Sequence, residues 1–162
     1  MSFRGHKHQK GFEDMVKPMQ LGHVNIRVKD LATSEKFYTE ILGLEVTHRR
    51  EHILFLSAND LSHELAISPL GDDAPGPDNA RVGTNHNAWQ MSSFEDLREM
   101  HQRLKDNKIE IIRMRQNSAS VGIYFADPDG NENEVYYEDP DARYREGGWQ
   151  GEYREKLEAV PR

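Results

Sequence analysis

The 162-residue sequence contains no cysteine, so disulfides cannot staple it and any metal ion must be held by nitrogen and oxygen. It has no apolar run approaching the ~20 residues that cross a bilayer as a helix. Its opening, MSFRGHKHQK, lacks the apolar centre of a signal peptide. A cytoplasmic protein without a membrane partner is expected. Basic residues are the minority, 21 Lys and Arg against 28 Asp and Glu for a net charge of −7, and none gather into a stripe suited to phosphates. Nucleic acid is therefore not an expected partner. What the chain does have is eight histidines and an apolar fraction of 36%, enough for the core of one domain.

Laying the segment that starts at His23 on the segment that starts at His86, without gaps, exposes a repeat. Ile26 and Val28 face Trp89 and Met91, Asp30 faces Ser93, Phe37 faces Met100 and Ile41 faces Leu104. Each copy opens with the alternation of a half-buried strand, its histidine on the face opposite the aliphatic stripe. A helix follows, with Asp30 as cap in the first copy and Ser92 or Ser93 in the second, where Ser92 and Glu95 match a capping box. Gly43 and Asn107 stand where these helices should stop. Strand-like runs then follow at Leu44–Thr47, Ile53–Ser57 and His63–Ser68, and again at Ile109–Met114, Val121–Ala126 and Glu132–Tyr137. The turn Asp127-Pro128-Asp129-Gly130 joins the last two.

The expected architecture is α+β: two tandem βαβββ modules forming a cupped mixed sheet around a metal site. Module 1 spans residues 20–70 and module 2 spans 83–138, joined by a Gly, Pro and Asp-rich linker at 71–82 and flanked by an extension (1–19) and a tail (139–162). Together 20–138 form one domain.

The run Tyr124-Phe125-Ala126-Asp127-Pro128-Asp129-Gly130-Asn131-Glu132-Asn133-Glu134-Val135 resembles the closing hairpin of the vicinal oxygen chelate superfamily. Leu21-Gly22-His23-Val24 and Asn85-His86-Asn87-Ala88-Trp89 resemble its two histidine strands. The resemblance covers residues 20–138, and it implies that His23, His86 and Glu134 bind one divalent metal. Two neutral imidazoles and one carboxylate would leave open positions for substrate and dioxygen. Within that superfamily the chain looks most like type I extradiol dioxygenases in a single-domain form. That likeness implies ferrous iron or manganese as cofactor, and an aromatic diol and O2 as substrates. Tyr124 matches a tyrosine that hydrogen-bonds the substrate oxygen. His63, in Ser62-His63-Glu64-Leu65-Ala66-Ile67, matches an acid/base histidine. Arg115 replaces a histidine often found nine residues before the tyrosine, and Asn117 matches an asparagine of some relatives, which makes both expected substrate contacts.

Superfamily membership does not choose the reaction. A glyoxalase-like isomerase or a thiol transferase would use Glu64 as a fourth ligand, and His63 and Glu64 cannot both face the metal from a regular strand. His63 is expected inward, sharing its face with Leu65 and Ile67. A non-catalytic binding protein is the third alternative. Exposed strand edges lead us to expect a homo-oligomer.

Overall fold

The computed structural model describes residues 16–116 and 119–140. Most of the expected extension, Asn117 and the tail beyond residue 140 lie outside the described residues. In module 1, alternation makes β1 (Val24–Val28), with Ile26 and Val28 buried and Asn25 and Arg27 exposed. Asp30 caps α1 (Leu31–Lys36) by accepting the Thr33 backbone N–H at 2.8 Å. The helix then widens into a π turn over Phe37–Ile41, which puts the neighbours Phe37 and Tyr38 in the core together with Ile41. Gly43, at φ 79°, ends it. The strands β2 (Glu45–Arg50), β3 (Ile53–Ser57) and β4 (Leu65–Pro69) complete a sheet of order β1-β4-β3-β2, with β1 and β4 parallel.

Module 2 repeats the plan with β5 (Asn87–Gln90), α2 (Phe94–Asp106), β6 (Ile111–Gln116), β7 (Ser120–Ala126) and β8 (Glu132–Glu138) in the order β5-β8-β7-β6. The α+β class and the doubled βαβββ plan are as expected. Ser93, not Ser92, caps α2 by accepting the Asp96 N–H at 3.0 Å. Asn107 does end that helix, but the left-handed residue is Lys108 at φ 57°.

Strand pairing turns the repeat into a residue-by-residue correspondence. Val24 pairs with Leu65 as Asn87 pairs with Asn133, Phe55 with Ala66 as Tyr124 with Glu134, and His48 with Phe55 as Arg113 with Tyr124. Even the bulge recurs, between Val46 and His48 and between Ile111 and Arg113. His23 thus corresponds to His86, Phe55 to Tyr124, Ala66 to Glu134 and Ile53 to Gly122.

One core holds the aliphatic faces of both sheets, including Leu54, Leu56, Ile67, Ile123, Phe125 and Val135, and the buried sides of both helices. Each such side chain contributes about 1.5–3 kcal/mol of burial. The modules are clamped where the end of α1 meets the β7–β8 turn. Phe37 and Phe125 lie 6.2 Å apart, Asp129 accepts the Lys29 N–H at 2.9 Å, and the Tyr38 hydroxyl donates to Asp127 at 2.9 Å. Tyr38 is fully buried, and burial together with the Asp127 charge pushes its phenol well above 10. Tyr38→Phe removes one of the two donors to Asp127 Oδ2, a charge-assisted bond in a buried place, and leaves only the Asn131 amide. Denaturant titration should therefore show a loss of about 1–3 kcal/mol with an unchanged slope.

Among the described residues each sheet ends on an edge strand, β1 or β5, that has no partner beyond its own module. The expected cup is therefore two separate four-stranded sheets within one chain. An open cleft lies between their edges, lined by His23 and Val24 on one side and by His86, Ala88 and Trp89 on the other. Among the described residues no helix is long and apolar enough to cross a membrane.

Candidate metal centre

In module 2, β8 carries Glu134, with its alternate neighbour Val135 fully buried on the opposite face. Ala88 pairs with Glu134, which places His86, two residues earlier, on the same face. His86 Nε2 stands 3.1 Å from Glu134 Oε2, and the carboxylate side chain is only 14% exposed. His86 Nδ1 lies 2.8 Å from the Asn85 side-chain oxygen. An amide oxygen only accepts, so Nδ1 carries the proton and Nε2 presents its lone pair toward the carboxylate. Two acceptors facing each other require a cation or a proton between them. This half of the centre fits a divalent ion bound by nitrogen and oxygen.

Tyr124 pairs directly with Glu134 across β7 and β8, and its ring lies edge-on to His86 with centroids 5.3 Å apart. Burial, then a hydrogen bond to Glu134 and that carboxylate's charge, push its phenol up to about 12. At neutral pH it is a proton-bearing donor. The Arg113 guanidinium lies 4.0 Å over the Tyr124 ring and is itself paired with Glu132, which fixes the ring from behind. Arg115 pairs with Gly122 one step further along β6.

Gly122 makes the carboxylate's position possible. A Cβ built there would stand 2.1 Å from Glu134 Oε1, a distance at which something must move. Gly122→Ala should leave the fold intact while displacing the carboxylate. Metal affinity is expected to fall by about tenfold or more, as measured by anaerobic titration.

In module 1, the His23 and His63 rings lie 4.5 Å apart, and Phe55 meets His63 edge-on at 4.9 Å. His63 packs beside His23 and Phe55 and does not share its face with Leu65 and Ile67 as expected, whereas Glu64 borders the cleft between the sheet edges. Strand β4 begins at Leu65, and Leu65 and Ile67 pair with Leu56 and Leu54 on the core side, away from His63. A bend at Glu64 breaks the alternation. The Glu64 carboxylate accepts from the Ala58 N–H at 2.7 Å, the Ser57 hydroxyl at 3.1 Å and the Asn59 amide at 2.5 Å. It is thus committed to its own loop, and the counterpart of Glu134 is Ala66.

Among the described residues the two half-sites do not meet, although His23 and His86 line the same cleft. Among the described residues no three His, Asp or Glu side chains converge closely enough to hold a metal ion. His23 and His63 form one group, and His86, Tyr124 and Glu134 form the other. Asn117 lies outside the described residues. Sequence reading missed Phe55, Asn85, Arg113 and Gly122. The strand pattern carried a signal for Arg113, which alternates with Arg115, whereas Gly122 matters only through a contact across two strands.

Residues 20–135 match the Glyoxalase/Bleomycin resistance protein/Dioxygenase superfamily. A biphenyl-2,3-diol 1,2-dioxygenase of Rhodococcus globerulus is 28% identical over 113 residues, 69% of this chain and 60% of that protein. The chain thus spans about three fifths of that relative. The glutathione transferase FosA of Serratia marcescens is 28% identical over 116 residues, 72% of this chain and 79% of that protein. A glyoxylase/bleomycin resistance protein/dioxygenase domain from Frankia sp. EAN1pec superposes with a TM-score of 0.64 at 21% identity, covering 75% of this chain and 99% of that one. The doubled modules, the histidine strands and the match over nearly the whole repeat make this chain a member of the Glyoxalase/Bleomycin resistance protein/Dioxygenase superfamily.

Proposed function

We propose that the protein is a metal-dependent extradiol dioxygenase acting on a catechol-like aromatic diol, with each active site assembled from two copies of the chain. The observation that carries this reading is Tyr124, a protonated phenol held against both Glu134 and His86. A donor at that point suits a diol oxygen bound beside the carboxylate. The likeness to the Rhodococcus dioxygenase supports the same assignment.

The two-copy assembly follows from the edges. Strands β1 and β5 are equivalent members of the repeat, and among the described residues both are unpaired on the cleft side. A two-fold axis through the cleft would set β1 of one copy beside β5 of the other and the reverse, giving two identical seams. Each seam would unite His23 and His63 of one copy with His86, Tyr124 and Glu134 of the second. The apolar side chain of Leu21, exposed and lining the cleft, would be covered in the process.

His23, His86 and Glu134 would hold ferrous iron or manganese, which supplies a charged seat for both diol oxygens and for O2 and lets electrons pass between them. The chain's own residues do the rest. Tyr124 donates to a substrate oxygen and fixes the ring's orientation. His63 accepts a proton from a diol hydroxyl and returns it as the ring opens. Phe55, edge-on to His63, holds the imidazole in place.

Ala66 argues against an isomerase built on two glutamates, because the pseudo-symmetric partner of Glu134 carries no ligand. A thiol transferase remains the second reading, favoured by the larger share of FosA that the chain spans. To separate them, protein loaded anaerobically with Fe(II) or Mn(II) is exposed to air and 2,3-dihydroxybiphenyl or catechol. We expect a yellow ring-opened product and one O2 consumed per diol, with both atoms of 18O2 retained. His63→Gln should keep its metal and lose turnover by about 10²–10⁴-fold. Absence of oxygen uptake with every diol, together with formation of a glutathione adduct when an epoxide is supplied as the electrophilic acceptor in the absence of air, would support the transferase instead.

A further inference from the structure

We infer that Asn85 is a positioning residue of the metal centre: its side-chain oxygen holds the Nδ1 proton of His86 and so keeps Nε2 free for a divalent ion beside Glu134. The inference rests on the part of the reading above that makes His86 and Glu134 metal ligands. It holds whichever reaction the ion serves.

A neutral imidazole has one proton for two nitrogens. His86 Nε2 stands 3.1 Å from Glu134 Oε2, so a proton on that nitrogen would be donated to the carboxylate, and the two ligands would satisfy each other. An ion would then have to break that bond. The tautomer that binds an ion through Nε2 carries its proton on Nδ1, and this N–H needs an acceptor of its own. Asn85 Oδ1 supplies one at 2.8 Å. Each nitrogen of the ring thus faces an oxygen, while Tyr124 meets the imidazole edge-on at 5.3 Å. The ring is set both in orientation and in tautomer.

The repeat supplies the contrast. Gly22 stands before His23 as Asn85 stands before His86, so His23 has no side-chain acceptor at that place, and its ring lies against His63 with centroids 4.5 Å apart. Crowding does not explain the glycine, because nothing comes within 4 Å of a Cβ built there. The carboxylate does explain it. The module 1 counterpart of Glu134 is Ala66, which cannot accept a proton from His23. The asparagine occurs in the module whose histidine has a carboxylate to compete with, and the other module lacks both.

Asn85 is exposed and precedes β5, so its replacement should spare the fold. The test follows the wild type, Asn85→Ala and Asn85→Asp by equilibrium titration with Zn(II), and by NMR of the histidine ring nitrogens in metal-free protein, in buffer alkaline enough to keep imidazoles neutral. Asn85→Ala should bind Zn(II) about tenfold to a hundredfold more weakly. Its His86 tautomer should shift from Nδ1–H toward Nε2–H. Asn85→Asp keeps an acceptor at the same place and should restore both the affinity and the Nδ1–H tautomer. Wild-type affinity in Asn85→Ala, an unshifted tautomer, or equal losses in Asn85→Ala and Asn85→Asp overturn this inference and leave the ligand assignment standing. A wild-type protein that binds no Zn(II) overturns the assignment of His86 and Glu134, and this inference with it.

Discussion

Glu134→Ala abolishes metal binding and turnover together in this account, and no other single substitution outside the two histidine strands should do so as completely. The carboxylate is the sole anion of the proposed ligand set, so its loss removes the one negative charge that offsets a divalent cation. Altering a group that merely supports a metal ligand costs about 10–100-fold in metal affinity, so removal of a ligand should exceed that range. The folded protein should persist, because Glu134 contributes little to the core while Val135 beside it is fully buried. The check is anaerobic titration with Fe(II) or Mn(II) beside circular dichroism. A variant that melts like the wild type but binds no metal is the expected result. Glu64→Ala serves as the counterpart: with its carboxylate committed to Ser57, Ala58 and Asn59, it should loosen that loop and spare the metal.

Part of the candidate site was legible from periodicity. Two histidines at equivalent points of duplicated strands stand out from the repeat. Glu134 lies on a regularly polar face and was picked out, with the roles given to His63 and Tyr124, only by resemblance to the superfamily's motifs; strand pairing sets Tyr124 opposite it. The π turn that buries Tyr38 was not legible. It inserts a single residue into a helix, and what rewards it is the Asp127 carboxylate 89 residues away. His63 comes beside His23 by a bend whose cause, the Glu64 carboxylate gathering three donors, lies in a loop and follows no period. The separation of the two half-sites was equally hidden. Periodicity states which face a residue occupies, whereas the relative placement of two modules depends on contacts such as Phe37 with Phe125.

That separation gives the account its sharpest consequence. If His23 of one copy works with Glu134 of another, the inactive variants His23→Ala and Glu134→Ala complement each other. In a mixed dimer one site inherits both substitutions and the other inherits neither. Random exchange makes about half the dimers mixed, and a mixture should therefore regain about a quarter of the wild-type oxygen uptake. Co-expressing the two chains under different affinity tags and isolating the mixed species should raise this to about half. Oxygen uptake and bound metal in that doubly tagged dimer form the decisive measurement: one metal ion and about half the wild-type rate per dimer are predicted. A mixed dimer that is intact yet holds no metal and consumes no oxygen, while the wild-type dimer does both, would contradict a centre shared between copies.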